Sequence, residues 1–115
     1  MIAQDVASLH SDANSITKET ALTEAGEIVK GRGDEPNQHI ITGSNEDGTL
    51  AADMTCSDWT SNGEGRAMVG HSDRMGPEDL ATGTSWNAAH PSRGCGQEAL
   101  VGTGGNGYFY CFAAN

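Results

Sequence analysis

The chain has 115 residues, which fits one domain, and it contains 16 glycines and only 36% hydrophobic residues. A hydrophobic core this small usually depends on staples such as disulfides or metal ions. The net charge of −10, from 16 acidic against 6 basic residues, repels phosphates and anionic membranes, so we expect no nucleic acid partner. No segment approaches the roughly 20 apolar residues of a membrane-spanning helix, so we expect no membrane insertion.

Two short helices are predicted near the N-terminus. Ile2, Val6 and Leu9 recur at roughly helical spacing. A second helix is predicted over 20–30, because the apolar residues of this segment fall on one helical face and Gly31 can end it. These apolar residues are Ala21, Leu22, Ala25, Ile28 and Val29.

The rest of the chain predicts short strands joined by long loops. The β-branched run 39–42 predicts a strand, and the segment 44–48 ending in Asp-Gly predicts a turn. One or two strands are expected within 49–60, and a last, aromatic strand over 108–112 after a hairpin turn in the glycine-rich segment 102–107. Helices followed by strands indicate the α+β class.

The three cysteines leave two alternatives open. Cys56, Cys95 and Cys111 form no C-x-x-C pair, which argues against zinc ribbons and thioredoxin-type sites. They are either ordinary buried thiols or one bridge plus an orphan, because an odd number cannot pair completely within the chain.

Several motifs in a fixed order resemble one known family. They are C-x-x-W-T at 56–60, G-H-S-D-R at 70–74, S-W-N-x-A-H-P-S-R-G-C at 85–95, and His39, Ile41, Gly43, Ser44, Asp47 and Gly48 around the predicted turn. Together with the aromatic strand that ends in Cys111, they resemble the C-terminal part of endostatin-like domains, which have the C-type-lectin-like fold. The similarity is greatest to secreted or envelope proteins of bacteria.

The resemblance implies a fold and a cysteine pattern. The fold is a C-type-lectin-like domain over 1–115, with short N-terminal helices and a loop-rich antiparallel sheet, lacking the family's first strand and main helices. Cys56 and Cys95 occupy the family's inner disulfide pair. Cys111 occupies the last-strand position of the outer pair, whose early cysteine is missing here. We therefore expect Cys111 to bond to the N-terminal piece of the same precursor or to another subunit.

One calcium motif of lectins is present in an unusual place. Glu35-Pro36-Asn37 matches the triplet of calcium-dependent sugar-binding lectins, in which oxygen ligands bind the ion. That triplet normally lies between the inner cysteines, whereas here it precedes Cys56. We therefore expect no calcium at Asp34, Glu35 and Asn37.

The function expected from the sequence is that of a non-enzymatic binding or structural module, extracellular or in the cell envelope. Its ligand would be a glycan, a protein or a second copy, and no catalytic residue, cofactor or metal is assigned. One alternative is a subunit of a surface assembly or filament that another chain completes. Another is a metal-assisted hydrolase using His71, Asp73 and His90. The candidate ligand-binding residues are His71, Asp73, Arg74, Trp86, Asn87 and His90.

Overall fold

A mixed four-stranded sheet organises the molecule. The computed structural model describes residues 1–34, 38–76 and 83–113. Its strands are β1 (His39–Ile41), β2 (Met68–Gly70), β3 (His90–Pro91) and β4 (Gly105–Phe109). Their order in the sheet is β3-β2-β1-β4. The β1–β2 and β2–β3 pairs are antiparallel and the β1–β4 pair is parallel. The α+β class is therefore confirmed, whereas the expectation of an antiparallel sheet is wrong.

Three short helical segments accompany the sheet: α1 (Val6–Leu9), α2 (Cys56–Trp59) and α3 (Gln97–Thr103). The first begins where the Asp5 side chain accepts a hydrogen bond from the Ser8 backbone N–H at 2.7 Å, as N-cap residues do. Within the described residues, no helix has the length and apolar character needed to cross a membrane.

The helix predicted over 20–30 is wrong. The chain instead turns back on itself, with the Thr23 N–H donating to the Glu27 carbonyl at 2.7 Å and the Val29 N–H donating to Ala21 at 3.1 Å. Gly26 closes the turn at φ +81°, a left-handed conformation that breaks a right-handed helix. The apolar spacing misled because that set of residues is not buried together: Val29 is in the core at 9% exposure, whereas Leu22 and Ile28 are both 53% exposed.

The segment 49–60 contains no strand, contrary to the prediction, and makes only two isolated bridges, Ser44 to Leu50 and Thr55 to Ala67. It ends in α2, where all four residues have φ between 51° and 65°. Left-handed backbone costs a non-glycine residue about 1–2 kcal/mol. This turn is held at its start by the Thr55 hydroxyl, which accepts from the Asp58 N–H at 3.1 Å.

The strand at 39–42 and the Asn45–Gly48 turn are confirmed. The hairpin predicted in the segment 102–107 is wrong. Gly104, at φ +109°, ends α3 instead, and its N–H donates to the carbonyls of Leu100 and Val101, as left-handed C-terminal glycines do. The chain then enters β4, which lies parallel beside β1 and therefore cannot form a hairpin with it.

The disulfide between Cys56 and Cys95 is confirmed, with a sulfur–sulfur distance of 2.09 Å. It lies within the main apolar cluster, where it closes a long loop. In the chain-entropy model a bridge across the 39 residues that separate these cysteines stabilises a domain by about 4 kcal/mol. The cluster is formed by Ile41, Cys56, Ala67, Val69, Cys95 and Leu100.

Candidate metal centre

Three histidines, each at or next to the end of a strand, meet at one end of the β3-β2-β1 strands. His39 begins β1, His71 directly follows β2, and His90 begins β3. Since β1 and β2 pair antiparallel with Ile40 opposite Gly70, the residues before and after this pair become neighbours. One ring nitrogen from each of the three imidazoles lies within 4.8 Å of the others.

Gly70 brings His71 close to the segment that leads to β3. A Cβ atom at this position would lie 1.7 Å from the Trp86 carbonyl oxygen, so a side chain could not fit without moving the backbone. The next residue continues this contact, because the His71 N–H donates to the Ser85 carbonyl at 3.0 Å. The His71 side chain is 3% exposed as a result.

Two of the imidazoles have their tautomers fixed by backbone carbonyls. His71 Nδ1 lies 2.5 Å from the Gly83 oxygen, and His90 Nδ1 lies 3.0 Å from the Pro91 oxygen. A carbonyl oxygen can only accept, so both Nδ1 atoms carry the hydrogen and both neutral rings have their lone pair on Nε2. These two Nε2 atoms face each other at 3.1 Å. Neither can donate to the other in the neutral state.

The distance between these two nitrogens fits a shared metal ion. Zinc binds imidazole nitrogen at about 2.0–2.1 Å in tetrahedral geometry, which puts two nitrogen ligands on one ion about 3.3 Å apart. Histidine ligands also commonly donate their other ring N–H to a backbone carbonyl, which orients the ring. His71 and His90 show both features.

His39 completes the cluster with a nitrogen that lacks a partner. Its Nδ1 is buried and has no hydrogen-bond partner within the described ranges, a situation that costs roughly 1–3 kcal/mol in a protein interior. The ring is positioned by Gly104, where a Cβ would lie 2.8 Å from the imidazole Cε1. The His39 N–H also donates to the Gly104 carbonyl at 3.1 Å.

The environment favours the neutral form of His39 and His71. Burial, followed by the charges of His71 and His90, lowers the pKa of His39 to about 4 although Asp73 opposes the change. Burial also lowers the pKa of His71. Neutral imidazole is the form that binds metals.

Asp73 and Arg74 support the structure around the histidines. The Asp73 carboxylate accepts the Arg32 N–H at 2.7 Å and the Met75 N–H at 3.0 Å, one on each oxygen. The Arg74 guanidinium donates to the Ile16 carbonyl at 2.7 Å and to the Asn14 side chain. Both residues thus tie loops together, and Asp73 lies outside the group of three metal-ligating side chains.

Trp86 and Asn87 are not on an open surface. Asn87 is 2% exposed, and its amide donates to the carbonyls of Asn45 and Glu46 at 3.0 and 3.3 Å. Trp86 is 7% exposed and stacks on His10 with ring centroids 5.5 Å apart. The six candidate residues therefore fall into three pairs: two histidines whose ring nitrogens face each other, two residues that hydrogen-bond one loop to another, and two residues buried in the interior.

Sequence reasoning missed His39 as a site residue, although its place in the strand was predicted correctly. Part of a signal existed: His39 starts the predicted strand 39–42, and antiparallel pairing of this strand with the segment before His71 puts the two histidines side by side. The calcium motif Glu35-Pro36-Asn37 lies outside the described residues.

A surface pocket that contacts the cluster is not centred on the three imidazoles. It has a volume of about 650 Å³, and among its lining residues only His90 belongs to the cluster. Its walls also include the carbonyl-bearing turn at Asn45, Glu46 and Asp47. We place the candidate site at the imidazoles because three potential metal-ligand atoms lie within 4.8 Å of one another there.

Comparison with known proteins finds no matching family model, and neither curated proteins nor solved structures show a match.

Proposed function

We propose that this chain is a non-enzymatic, extracellular binding module whose ligand is a divalent transition metal ion, with zinc as the preferred ion. The observation that carries this proposal is the 3.1 Å contact between the Nε2 atoms of His71 and His90, whose Nδ1 atoms both donate to carbonyls. His39 supplies the third nitrogen.

The ligand set selects the class of ion. Imidazole nitrogens suit zinc, copper and nickel, whereas calcium and magnesium require oxygen ligands. Among the described residues the cluster consists of histidines alone, and these do not provide the oxygen ligands that a hard cation requires. Among these metals, zinc fits the tetrahedral spacing of the two facing nitrogens best.

A hydrolase would need a free proton acceptor beside the metal, and the nearby candidates have other roles. Both Asp73 oxygens already accept backbone N–H groups. The Tyr110 hydroxyl donates to the Trp86 carbonyl at 2.9 Å, and burial raises the pKa of this hydroxyl. These contacts favour binding over hydrolysis, which makes metal-assisted hydrolysis the rival outcome.

The extracellular location is supported by the disulfide. Cys56 and Cys95 are joined across a long segment of chain, and such structural bridges persist in oxidising compartments rather than in the cytosol.

The test is a zinc titration of the oxidised, metal-free chain, followed by calorimetry and by metal analysis after dialysis. We expect one zinc per chain in the parent, and none in His71→Gln or His90→Gln. His10→Gln is the matched control, because His10 stacks on Trp86 and is not one of the three ligands. Zinc retained by both His71→Gln and His90→Gln would refute the site.

A second candidate function, assembly with another chain, is favoured by the far edge of the sheet. β4 is an edge strand of the sheet that the described residues form. Phe109 is 60% exposed, Phe112 is 47% exposed, and Cys111 between them is an exposed free thiol. Exposed strand edges are templates for strand addition.

The partner in this second proposal is the N-terminal piece of the same precursor or another subunit, which adds a strand to β4 and supplies a cysteine for Cys111. Mass spectrometry under non-reducing and reducing conditions tests it on the native material. We expect a mass increment that reduction removes. A free Cys111 thiol in a stable monomer would contradict this proposal and leave the metal proposal intact.

A further inference from the structure

The three imidazoles leave part of the coordination sphere of a tetrahedral ion without a ligand from the described chain. Each of them offers one ligand atom, and no fourth His, Cys, Asp or Glu of the described residues belongs to the group. Sites in which zinc has four protein ligands are closed, whereas three protein ligands leave a position for water or another molecule.

Asp73 is not among the side chains whose ligand atoms lie within 4.8 Å of one another. Its two oxygens accept the Arg32 and Met75 N–H groups, which hold the carboxylate in the loop. It is close enough to interact electrostatically with His39 and His71. Its single negative charge leaves a divalent ion with a local excess of one positive charge.

The three rings are not equally buried. His71 is 3% exposed, whereas His39 and His90 are only partly buried. We therefore expect a small ligand to reach the ion past His39 and His90 rather than past His71. The chain's overall negative charge is screened within about 8 Å at physiological salt, so the ion's own charge decides what binds at this distance.

From these observations we propose that the metal bound by His39, His71 and His90 keeps one exchangeable position that takes a small monoanionic donor, such as a thiocyanate, azide or carboxylate group. The inference rests on the proposed metal site and defines it as a site for a second ligand rather than a closed structural staple. The bond formed is a simple coordinate bond in which the anion replaces a water molecule, with no redox change.

Cobalt(II) is the probe, because its visible absorption reports coordination number and ligand exchange. The full-length oxidised chain is first titrated with cobalt(II), which tests the metal site by itself. Thiocyanate is then added to the cobalt-loaded protein, and sodium perchlorate, which coordinates poorly, is added at the same ionic strength to a matched sample.

We expect saturable cobalt binding at one ion per chain, followed by a saturable change of the visible spectrum with thiocyanate and none with perchlorate. Azide should compete with thiocyanate for the same position. If cobalt binds and thiocyanate changes nothing, the position is closed and this inference fails while the proposed function stands. If cobalt does not bind, the proposed function itself fails.

A double variant tests whether a carboxylate of the chain already occupies the fourth position of the metal. Glu78 and Asp79 lie between Gly76 and Gly83 in the sequence and carry carboxylates, a type of side chain that can occupy the fourth position of a zinc ion. We expect the Glu78→Gln, Asp79→Asn double variant to keep the cobalt spectrum and the thiocyanate response of the parent. A thiocyanate response seen only in the double variant would show that a carboxylate of the chain holds the fourth position, and would overturn the inference.

Discussion

The two ends of the β1–β2 pair are closed in different ways. At one end, beside Ile41 and Ala67, the Cys56–Cys95 bond lies within an apolar cluster. At the other end, His39 and His71 lie side by side with His90, and no covalent link joins them. Strands of two to five residues give little stability by themselves. With the proposed metal bound, a covalent cross-link at one end and a coordinative one at the other would take the place of a large core.

The largest expected effect comes from opening the disulfide end. The Cys56→Ala, Cys95→Ala double variant should lose about 4 kcal/mol of unfolding free energy, because the unfolded chain regains the freedom of a long loop. Urea denaturation of metal-free protein measures this loss, with Cys111→Ala as the control that should change little. An unfolding free energy within experimental error of the parent would mean that the disulfide end does not hold the sheet.

The next largest change in stability is expected when zinc binds at the histidine end. Zinc at a hundred times its dissociation constant should add about 2.7 kcal/mol to the unfolding free energy, because it binds the folded state only. Thermal unfolding with and without a chelator measures the gain. His71→Gln should abolish it and His10→Gln should preserve it. Equal gains in both variants would place the ion elsewhere.

A smaller effect tests the polar part of the disulfide end. The Ser92 hydroxyl accepts the Ala67 N–H at 2.9 Å and donates to the Gly94 carbonyl at 2.8 Å, and Ser92 is 5% exposed. Ser92→Ala should cost about 1–3 kcal/mol, because it leaves a buried N–H unpaired. Ser61→Ala is the control, since that hydroxyl makes an exposed contact with Glu64. Chemical denaturation should rank Ser92→Ala clearly below the control, and equal stabilities would contradict the assignment.

The last test concerns pH at the histidine end. The pKa of His39 is lowered to about 4 in the folded chain, against about 6.5 for unfolded histidine. The unfolded state therefore binds more protons between these values, and His39 contributes stability above pH 6.5 that is lost as the pH falls toward 4. In chelator-treated protein, the stability difference between the parent and His39→Gln should change across this window. A constant difference would show that His39 titrates normally.

The sequence predicted local features well where the conformational preferences of neighbouring residues determine the backbone structure. The β-branched run at His39 and the Asp-Gly turn at Gly48 needed no distant contact to define them. The resemblance, rather than the spacing of the residues, supplied the Cys56–Cys95 pairing. The segment 20–30 was misjudged because apolar spacing cannot show whether a surface exists to cover it.

Only the tertiary structure decided which histidines form a site. Residues 39, 71 and 90 are far apart in the chain, and they meet because three strand ends pair in one particular register. The structure also places Trp86 and Asn87 in the interior, although both had been named as candidate ligand-binding residues. Composition determined that this chain needs cross-links. The positions where strands pair, which depend on contacts distant in sequence, determined where the imidazoles converge.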